Sequence, residues 1–503
     1  MLRRDLFRMA MSPWGATLLR SQDRLEPVAI QTGDVTPGRA IVWARAAAPS
    51  SMTVHYRTAA SVASRTVRGP ALFAASDFTG RVELTGLPPG QRILYEVQLG
   101  EAPPLQGHFL TPPNTPSDVR FLWSGDMVGQ GWGINPDLGG IRIFDAMRKL
   151  EPHFFLHSGD SIYADSPVPA EVKLPDGRIW RNRVTKEKSG IAQTLDDFRG
   201  CYRYNLLDEN VRRFSSEVAQ IWQWDDHEVT NNWSPSKDLS ADNRYQEKNI
   251  RVLVDRARKA YLEYAPLRLN RKEPNRIYRR IPYGPLLDVF VLDMRSYRGP
   301  NTFNRQEAES PETAFLARQQ INWLKHDLKS SHATWKVIAA DMPIGLNVPD
   351  GKDAQGRAQF EAIANGDGPP LGRELEIAGL LRFLRQNNIR NTVWLTADVH
   401  YTAAHYYDPA KARFTDFLPF WEFVSGPLNA GTFGPGVLDD TFGPRVEFAK
   451  APPKGQSNLS PLSGYQFFGD VQINGKTRAL TVTLRDLTGA SLYAKTLPPE
   501  PRA

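Results

Sequence analysis

From residue 117 onward, short apolar runs alternate with stretches in which apolar residues recur every three or four positions. The apolar runs have the length and composition of strands buried on both faces, whereas the periodic stretches are typical of amphipathic helices, such as Gly140–Leu150 and Pro311–Ser330. The predicted strands are Val119–Trp123, His153–Leu156, Ala219–Trp224, Leu287–Leu292, Trp335–Ala340 and Thr392–Thr396. Strands that alternate with helices predict a layered α/β domain, which we place at residues 117–495.

The preceding region has an all-β pattern, with short runs of alternating polarity separated by Pro- and Gly-rich turns. The strand candidates are Ala40–Arg45, Met52–Tyr56, Arg81–Leu84 and Ile93–Leu99. This spacing predicts a small β-sandwich over residues 27–111, and the Pro-rich stretch Thr111–Pro116 is the predicted linker. The sandwich carries no cluster of Asp, His or Cys, so we expect a non-catalytic module or a binding or lid domain.

Composition narrows the class of protein. A chain of 503 residues is long enough for two or more domains, and 41% hydrophobic with 23% charged residues is ordinary for a globular protein. The net charge of +7 favours anionic ligands in general, but no dense Lys/Arg run indicates a nucleic-acid partner. The single cysteine, Cys201, excludes a disulfide framework and a cysteine-based metal site.

Residues 1–26 form a possible export leader. Arg3 and Arg4, followed by Leu6 and Phe7, resemble a twin-arginine signal, although the apolar stretch after them is short and interrupted. A functional leader predicts export through the twin-arginine machinery to the periplasm or the medium. A plain basic start would leave the protein in the cytoplasm. No stretch reaches the roughly 18–20 apolar residues of a membrane span.

Acidic residues follow nearly every predicted strand of the α/β region. These residues are Asp126, Asp160, Asp226, Asp293, Asp341 and Asp398, the last followed by His400. One such Asp is often only a cap or a turn residue, but six in one domain are hard to explain in that way. Carboxylates gathered at one sheet edge repel one another unless cations hold them, so the pattern predicts a dinuclear metal site with one shared carboxylate.

The run Phe154–Leu156 leads into Asp160, and Tyr163 follows three residues later. A carboxylate and a phenol on one turn beyond a strand can converge on a hard cation such as ferric iron. The alternative is an ordinary turn with a packed tyrosine.

Three blocks resemble the metallophosphoesterase superfamily. Gly159–Tyr163 is similar to the G-D-x-x-Y block of members that carry a ferric tyrosinate, and Asp225–Glu228 resembles the G-N-H-E block. Asp398-Val399-His400 resembles the closing G-H-x-H block, with Asp in place of the first His.

A narrower resemblance, to the PhoD-like alkaline phosphatase family, spans residues 28–492. It is carried by Trp224–Glu228 with Asn231-Asn232-Trp233, by Asp293-Met294-Arg295 and by Phe423–Pro427. The resemblance implies a layered α/β metallophosphoesterase-like sandwich domain preceded by a small all-β sandwich, and also a twin-arginine signal.

The resemblance also implies a set of site residues. Asp126, Asp160, Tyr163 and His400 would hold a first ion, Fe³⁺ or else Mn²⁺ or Zn²⁺, with Asp160 bridging. A second divalent cation, calcium by analogy with the family, would be completed by Asp226, Asp398 and Asp341. The implied substrate-side residues are His227 as stabiliser or acid, Arg295 as a clamp on a phosphate oxygen, and Asn231 and Asn232 at the second metal or the phosphate.

Two positions depart from the family pattern. A well-known member has Cys where Asp126 stands, so the implied ligands of the first ion are harder here. Relatives carry His or Gln at the position of Asp341. Structural alternatives also stay open at this point. His227 could be a core histidine held by Asp225, Asp293 and Arg295 could pair only with each other, and we expect His405 to support the site rather than ligate.

The implied function is an alkaline phosphatase that releases phosphate from small-molecule or lipid phosphoesters by means of a metal-activated water. The alternatives are a phosphodiesterase or phospholipase-type hydrolase on the same site, and a non-catalytic anion-binding protein with a degenerate site.

Overall fold

The computed structural model describes residues 26–501, so the predicted twin-arginine motif lies outside the described residues. The first part of the chain is entirely β. Its strands are β1 Ala29–Thr36, β2 Arg39–Arg45, β3 Met52–Thr58, β4 Arg65–Arg68, β5 Thr79–Thr85, β6 Arg92–Leu99 and β7 Leu105–Leu110. A four-stranded antiparallel sheet, in the order β4-β3-β6-β7, packs its apolar face against β1, β2 and β5. The predicted N-terminal β-sandwich is therefore present.

The remainder of the chain alternates strands with helices. The helices are α1 Ile143–Arg148, α2 Leu195–Asn205, α3 Glu209–Glu217, α4 Ile250–Tyr264, α5 Ala317–Ser330 and α6 Glu374–Gln386. The strands up to the fifth helix are β8 Val119–Ser124, β9 Phe154–Ser158, β10 Glu171–Lys173, β11 Ile179–Arg181, β12 Ala219–Gln223, β13 Arg279–Pro282 and β14 Leu287–Val291. Those that follow are β15 Trp335–Ala339, β16 Leu346–Asn347, β17 Pro349–Lys352, β18 Ala358–Phe360, β19 Thr392–Thr396, β20 Thr402–Tyr407, β21 Phe420–Val424, β22 Val437–Leu438, β23 Pro444–Lys450, β24 Phe467–Ile473, β25 Leu480–Asp486 and β26 Ser491–Leu497.

Two large mixed sheets form the centre of the molecule. The nine-stranded sheet has the order β26-β25-β24-β8-β9-β12-β1-β2-β5, and the seven-stranded sheet has the order β13-β14-β15-β19-β21-β20-β23. Strands β8, β9 and β12 run parallel in the first sheet, as do β14, β15, β19 and β21 in the second. The carboxyl ends of parallel strands meet at one edge, which is where open α/β sheets place their ligand sites.

The strands are apolar on both faces because each sheet lies between two layers. In β8, Phe121 and Trp123 face the other sheet, whereas Leu122 packs with Phe144 of α1 and Phe214 of α3. Helices α5 and α6 cover the outer face of the second sheet in the same way. The four layers explain why the predicted strands read as continuous apolar runs, and each agrees with an observed strand within two residues.

The sandwich and the α/β region share one sheet. Strand β1 pairs parallel with β12 through Gly33 and Gln220. A Cβ at Gly33 would lie 2.3 Å from the Pro266 carbonyl oxygen and 2.7 Å from that of Gln220, so only glycine permits this approach. In the described part of the chain, no helix has both the length and the apolarity needed to cross a bilayer.

Candidate metal centre

The predicted strand-end residues come together at the carboxyl edge of the two sheets. Asp126 follows β8, Asp160 follows β9, Asp226 follows β12, and Asp398 and His400 follow β19. Their ligand atoms form three groups, in each of which all atoms lie within 4.8 Å of one another. The groups are Asp126, Asp160 and His400; Asp160, Asp226 and His227; and Asp225, Asp226 and Asp398. Asp160 and Asp226 each belong to two of these groups.

Several of these oxygens have no hydrogen-bond partner among the described residues. Both carboxylate oxygens of Asp126 are buried and unpartnered, as are Oδ1 of Asp226 and Oδ2 of Asp225. Removing the charge of a carboxylate from water without compensation costs roughly several kcal/mol, so a buried carboxylate of this kind takes up a proton unless a cation compensates it. Oxygen atoms with one imidazole nitrogen suit a hard or borderline cation. The residues present therefore fit the implied metal ions.

The backbone at these positions is strained. Asp126, Asp160, Asp398 and His400 have φ values of 59°, 51°, 65° and 59°, in the left-handed region that non-glycine residues rarely adopt. Such conformations persist only where the surroundings impose them, and they cluster at functional sites. Here the strain turns successive strand ends inward towards one point.

Tyr163 and His400 meet beside Asp126. The Tyr163 hydroxyl lies 2.9 Å from Nε2 of His400, which is itself 3.9 Å from Oδ1 of Asp126. Nδ1 of His400 donates to the Gly431 carbonyl oxygen, so Nε2 is left to face the cluster. Burial lowers the pKa of His400 to about 4, which keeps the imidazole neutral, as a ligand must be.

Asp126 and Asp160 have raised pKa values in the absence of a cation. Burial raises the pKa of Asp126 to about 8, although His227 acts in the opposite direction. Burial and the neighbouring Asp226 raise the pKa of Asp160 well above its ordinary value. Burial also raises the pKa of Tyr163, and the charges of Asp160 and Asp126 add to this effect. A bound cation would reverse these preferences, since it favours the ionised oxygens.

His227 is fixed by Asp165 rather than by Asp225. Its Nδ1 lies 2.6 Å from Oδ1 of Asp165, whose other oxygen accepts the Asn231 backbone N–H at 2.8 Å. Burial opposes a charged imidazole, but Asp165, Asp226 and Asp160 together raise the pKa of His227 well above its usual value. Asp165 therefore orients the His227 imidazole towards the cluster, and the alternative of a core histidine held by Asp225 is not the arrangement found.

Arg295 differs from the predicted phosphate clamp. Its side chain is fully buried, and its guanidinium bonds Asp225 and Glu361 and lies 3.4 Å from Asp341. Asp398 is 3.7 Å away. These contacts make Arg295 a fixed cation that neutralises carboxylates behind the site. Asp341 faces this guanidinium and belongs to none of the three groups of possible ligands.

The two asparagines occupy different positions. Asn231 is exposed at the rim, whereas the Asn232 side chain donates to Asp350 at 2.7 Å and its backbone N–H donates to Asp226. Asn232 thus orients the ligand loop and ties it to the short strand β17, which carries Asp350.

The other residues with structural alternatives are accounted for locally. Asp293 accepts hydrogen bonds from the Trp224 indole and from the backbone N–H groups of Arg295 and Ser296, so it stabilises the turn that follows β14. His405 is buried on β20 against Glu422, at 2.9 Å, outside the cluster.

Sequence reasoning missed Asp165 and Glu228 as site residues. Glu228 is buried and accepts the backbone N–H groups of Asp160, Ser161 and Asp225, so it joins the loops after β9 and β12. For Asp165 the available signal was a carboxylate two residues beyond Tyr163. Its partner is 62 positions away, so the pattern alone could not pair them.

The cluster opens into a cleft of about 640 Å³. Asp160, Asp226, His227, Asp398 and His400 line this cleft together with polar and apolar residues of other segments. The polar residues include Asn231, Asn232 and Arg244, and the apolar ones include Leu346, Val348, Pro349 and Phe433. A small ester or one end of a larger molecule fits this space.

The four-layer α/β fold of this chain, with carboxylates and a histidine at its strand ends, is of the metallophosphoesterase-like class. A purple acid phosphatase from yellow lupin (Lupinus luteus) seeds shares this fold with a TM-score of 0.55, at 12% identity over 94% of this chain and 74% of that one. The family model of the PhoD-like phosphatases matches residues 121–484, and the model of their N-terminal domain matches residues 19–113. The chain therefore belongs to the PhoD-like phosphatase family, as the sequence blocks predicted.

Two relatives place the chain within this family. Alkaline phosphatase D of Bacillus subtilis (strain 168) is 26% identical over 375 residues, which are 72% of this chain and 60% of that protein. The chain thus spans about three fifths of the length of this relative. A solved structure of PhoD superposes with a TM-score of 0.69 at 19% identity, over 94% of this chain and 89% of that one.

Proposed function

We propose that the protein is a metal-dependent phosphoester hydrolase of the alkaline phosphatase type, acting through two cations that share Asp160. The observation that carries the proposal is the set of buried, unpartnered carboxylate oxygens around Asp160, at the floor of an open cleft. Family membership supports the reaction class.

The residues fall into two ligand sets. Asp126, Asp160, Tyr163 and His400 would hold the first ion, for which Fe³⁺, Mn²⁺ and Zn²⁺ are the candidates by ligand chemistry. Asp160, Asp226 and Asp398, with Asp225 behind them, would hold the second, for which Ca²⁺ or another divalent cation is the candidate. When bound, the cations supply Lewis acidity at the phosphoryl oxygens and a water of lowered pKa.

The chain's own groups perform the remaining steps. Protonated His227 is held by Asp165 through Nδ1, so that Nε2 can donate a proton to the leaving alkoxide. Asn231 at the rim can contact a phosphoryl oxygen. Arg295 does not reach the substrate in this role, but its contacts with Asp225 and Asp341 hold both side chains in place.

The test is turnover of p-nitrophenyl phosphate by the wild type, by the chelated protein, and by Asp160→Asn. As a matched control, Asp255→Asn makes the same substitution at a side chain of α4 that is 79% exposed. We expect chelation and Asp160→Asn each to reduce turnover by more than the roughly 10–100-fold typical of losing a group that only orients a ligand, because a proposed ligand of both ions is lost. Full turnover in Asp160→Asn with control-like stability would overturn the proposal.

The substrate class is the open part of this proposal. Comparing p-nitrophenyl phosphate with bis-p-nitrophenyl phosphate separates a monoesterase from a diesterase, because only the second substrate carries two ester groups on one phosphorus. Stoichiometric metal with no turnover of either substrate would favour the anion-binding alternative. Export by the predicted leader is tested separately, by comparing cell fractions of the wild type and of a protein with Arg3 and Arg4 changed to Lys.

A further inference from the structure

A fully buried lysine lies directly beneath the metal-ligand loop. Lys188 is 2% exposed, and its ammonium group donates to the carbonyl oxygens of Tyr163 and of Ser166, the latter at 2.9 Å. A buried ammonium group is costly unless its hydrogen bonds are satisfied. A side chain such as Met would fill the same space without that cost. The presence of a lysine here therefore indicates that its hydrogen bonds stabilise the backbone segment that accepts them.

The two acceptors bracket one short turn, which we call the 163–166 turn. The Ser166 N–H points back to the Tyr163 carbonyl at 3.5 Å, and the Ala164 N–H donates to the His227 carbonyl at 2.8 Å. From this turn Tyr163 reaches His400 and Asp165 reaches His227. One four-residue segment thus supplies a proposed ligand of the first ion and the partner of the proposed acid.

The position of Lys188 is fixed by packing that does not involve the site. It belongs to a short helical turn, Glu187–Ser189, that lies on α2. A Cβ at Gly200 of α2 would lie 2.2 Å from the Cβ of Glu187, so glycine permits the close approach that directs Lys188 inward. Glu187 also pairs with Arg203 of α2 at 3.4 Å.

The segment 164–191 leaves the ligand loop and returns beneath it. Two backbone hydrogen bonds of 2.8 Å close this segment, from the Val168 N–H to the Lys188 carbonyl oxygen and from the Ala192 N–H to the Ala164 carbonyl oxygen. We propose that Lys188 is a positioning residue, which holds the 163–166 turn in the conformation that places Tyr163 at the first ion and Asp165 at His227. This rests on the proposed function for the first ion and for turnover, whereas the effect on the turn itself is independent of any metal or substrate.

The test compares Lys188→Met, which keeps the volume but donates no hydrogen bond, with Lys188→Arg, which keeps the donors. Lys186→Met is the matched control, because Lys186 is exposed two residues earlier in the same segment. Hydrogen exchange of the peptide covering residues 161–168 reports on the turn, and metal titration of the chelated protein reports on the first ion. The exchange measurement needs neither metal nor turnover, so a failure of the proposed function is distinguished from a failure of this inference.

We expect Lys188→Met to lose protection in the turn and to weaken metal binding by about 10–100-fold, the usual effect of losing a group that orients a ligand. In active protein kcat should fall more than KM rises, and Lys188→Arg should retain most of both properties. Wild-type exchange and metal affinity in Lys188→Met would overturn the inference. Equal losses in Lys188→Met and Lys188→Arg would overturn it too, because packing alone would then explain them. If Lys188→Met does not fold, Lys188→Arg decides: retained protection and metal affinity support the inference, and their loss overturns it.

Discussion

Asp165 and His227 form a hydrogen-bonded pair, with 2.6 Å between Oδ1 and Nδ1, at the edge of the candidate metal centre. Burial works against ionisation of Asp165, but the facing His227 lowers its pKa below the ordinary value. The charge on each partner therefore depends on the other, and the pair can be tested from either side.

Asp165→Asn should lower the pKa of His227, because the largest favourable charge near the imidazole is removed. We expect the alkaline limb of the pH–rate profile to move to lower pH, with kcat reduced by about 10–100-fold, which is less than the roughly 100–10,000-fold contribution of a general acid because the imidazole itself is retained. The control is Asp238→Asn, at an exposed residue of the neighbouring loop. A pH profile identical to that of the wild type would show that the pair does not control the acid.

Asp126→Asn should have opposite effects on stability with and without metal. In the chelated protein it removes a buried carboxyl group without hydrogen-bond partners in the described chain, so we expect unchanged or higher stability, by up to about 1 kcal/mol. In metal-loaded protein it removes a ligand, so we expect metal to raise the stability of the variant less than that of the wild type. Thermal unfolding with and without chelator measures both effects. A variant that is less stable than the wild type only after chelation would contradict the role assigned to Asp126.

The pH dependence of the chelated protein follows from the raised carboxyl pKa values. In the folded state burial raises the pKa of Asp126 to about 8 and that of Asp341 to about 6, from an ordinary value of 3.8. Between about pH 4 and 8 the folded state therefore binds more protons than the unfolded chain, and its stability falls as pH rises. Asp226, at about 2, titrates below this window.

We therefore expect a lower melting temperature at pH 8 than at pH 6 in chelator. Metal binding displaces these protons, so the stabilisation by metal should be larger at pH 8. Scans at the two pH values, with and without metal, measure both effects. A rise in the melting temperature of the chelated protein from pH 6 to pH 8 would contradict this assignment.

Arg295→Met should unfold the protein more readily, because Asp225, Glu361 and Asp341 would lose their buried counter-charge. Removing one partner of a buried ion pair typically costs about 3–5 kcal/mol. Denaturant unfolding of Arg295→Met and of the rim control Arg244→Met, at a side chain that is 55% exposed, measures the difference. If Arg295 instead clamped the substrate, Arg295→Met would raise KM and leave the free energy of unfolding unchanged.

Much of the fold was predictable because the strands are buried on both faces. Phe121, Leu122 and Trp123 each face an apolar layer, so β8 appears in the sequence as an unbroken apolar run. The pairing of Gly33 with Gln220 was not predictable, since it joins distant segments and no local pattern records which strand completes a sheet edge.

The candidate site was predictable to the extent that its residues follow strands. Asp126, Asp160 and Asp398 were found in this way, and the structure brings them to one edge. Asp165, Glu228 and Lys188 were not found, because each acts through a backbone group or a side chain that lies far away in the sequence or in an irregular loop. The role of Arg295 was not predictable either, because its partner Glu361 lies 66 positions later in an irregular segment.

The central claim is that Asp160 serves two cations at once, and the most direct test is the metal content of protein purified without chelator. Elemental analysis should give about two ions per wild-type chain, as a shared-carboxylate centre requires. Asp126→Asn should lose the first ion only, whereas Asp160→Ala should lose both. A folded Asp160→Ala protein that keeps the wild-type metal content would contradict the account.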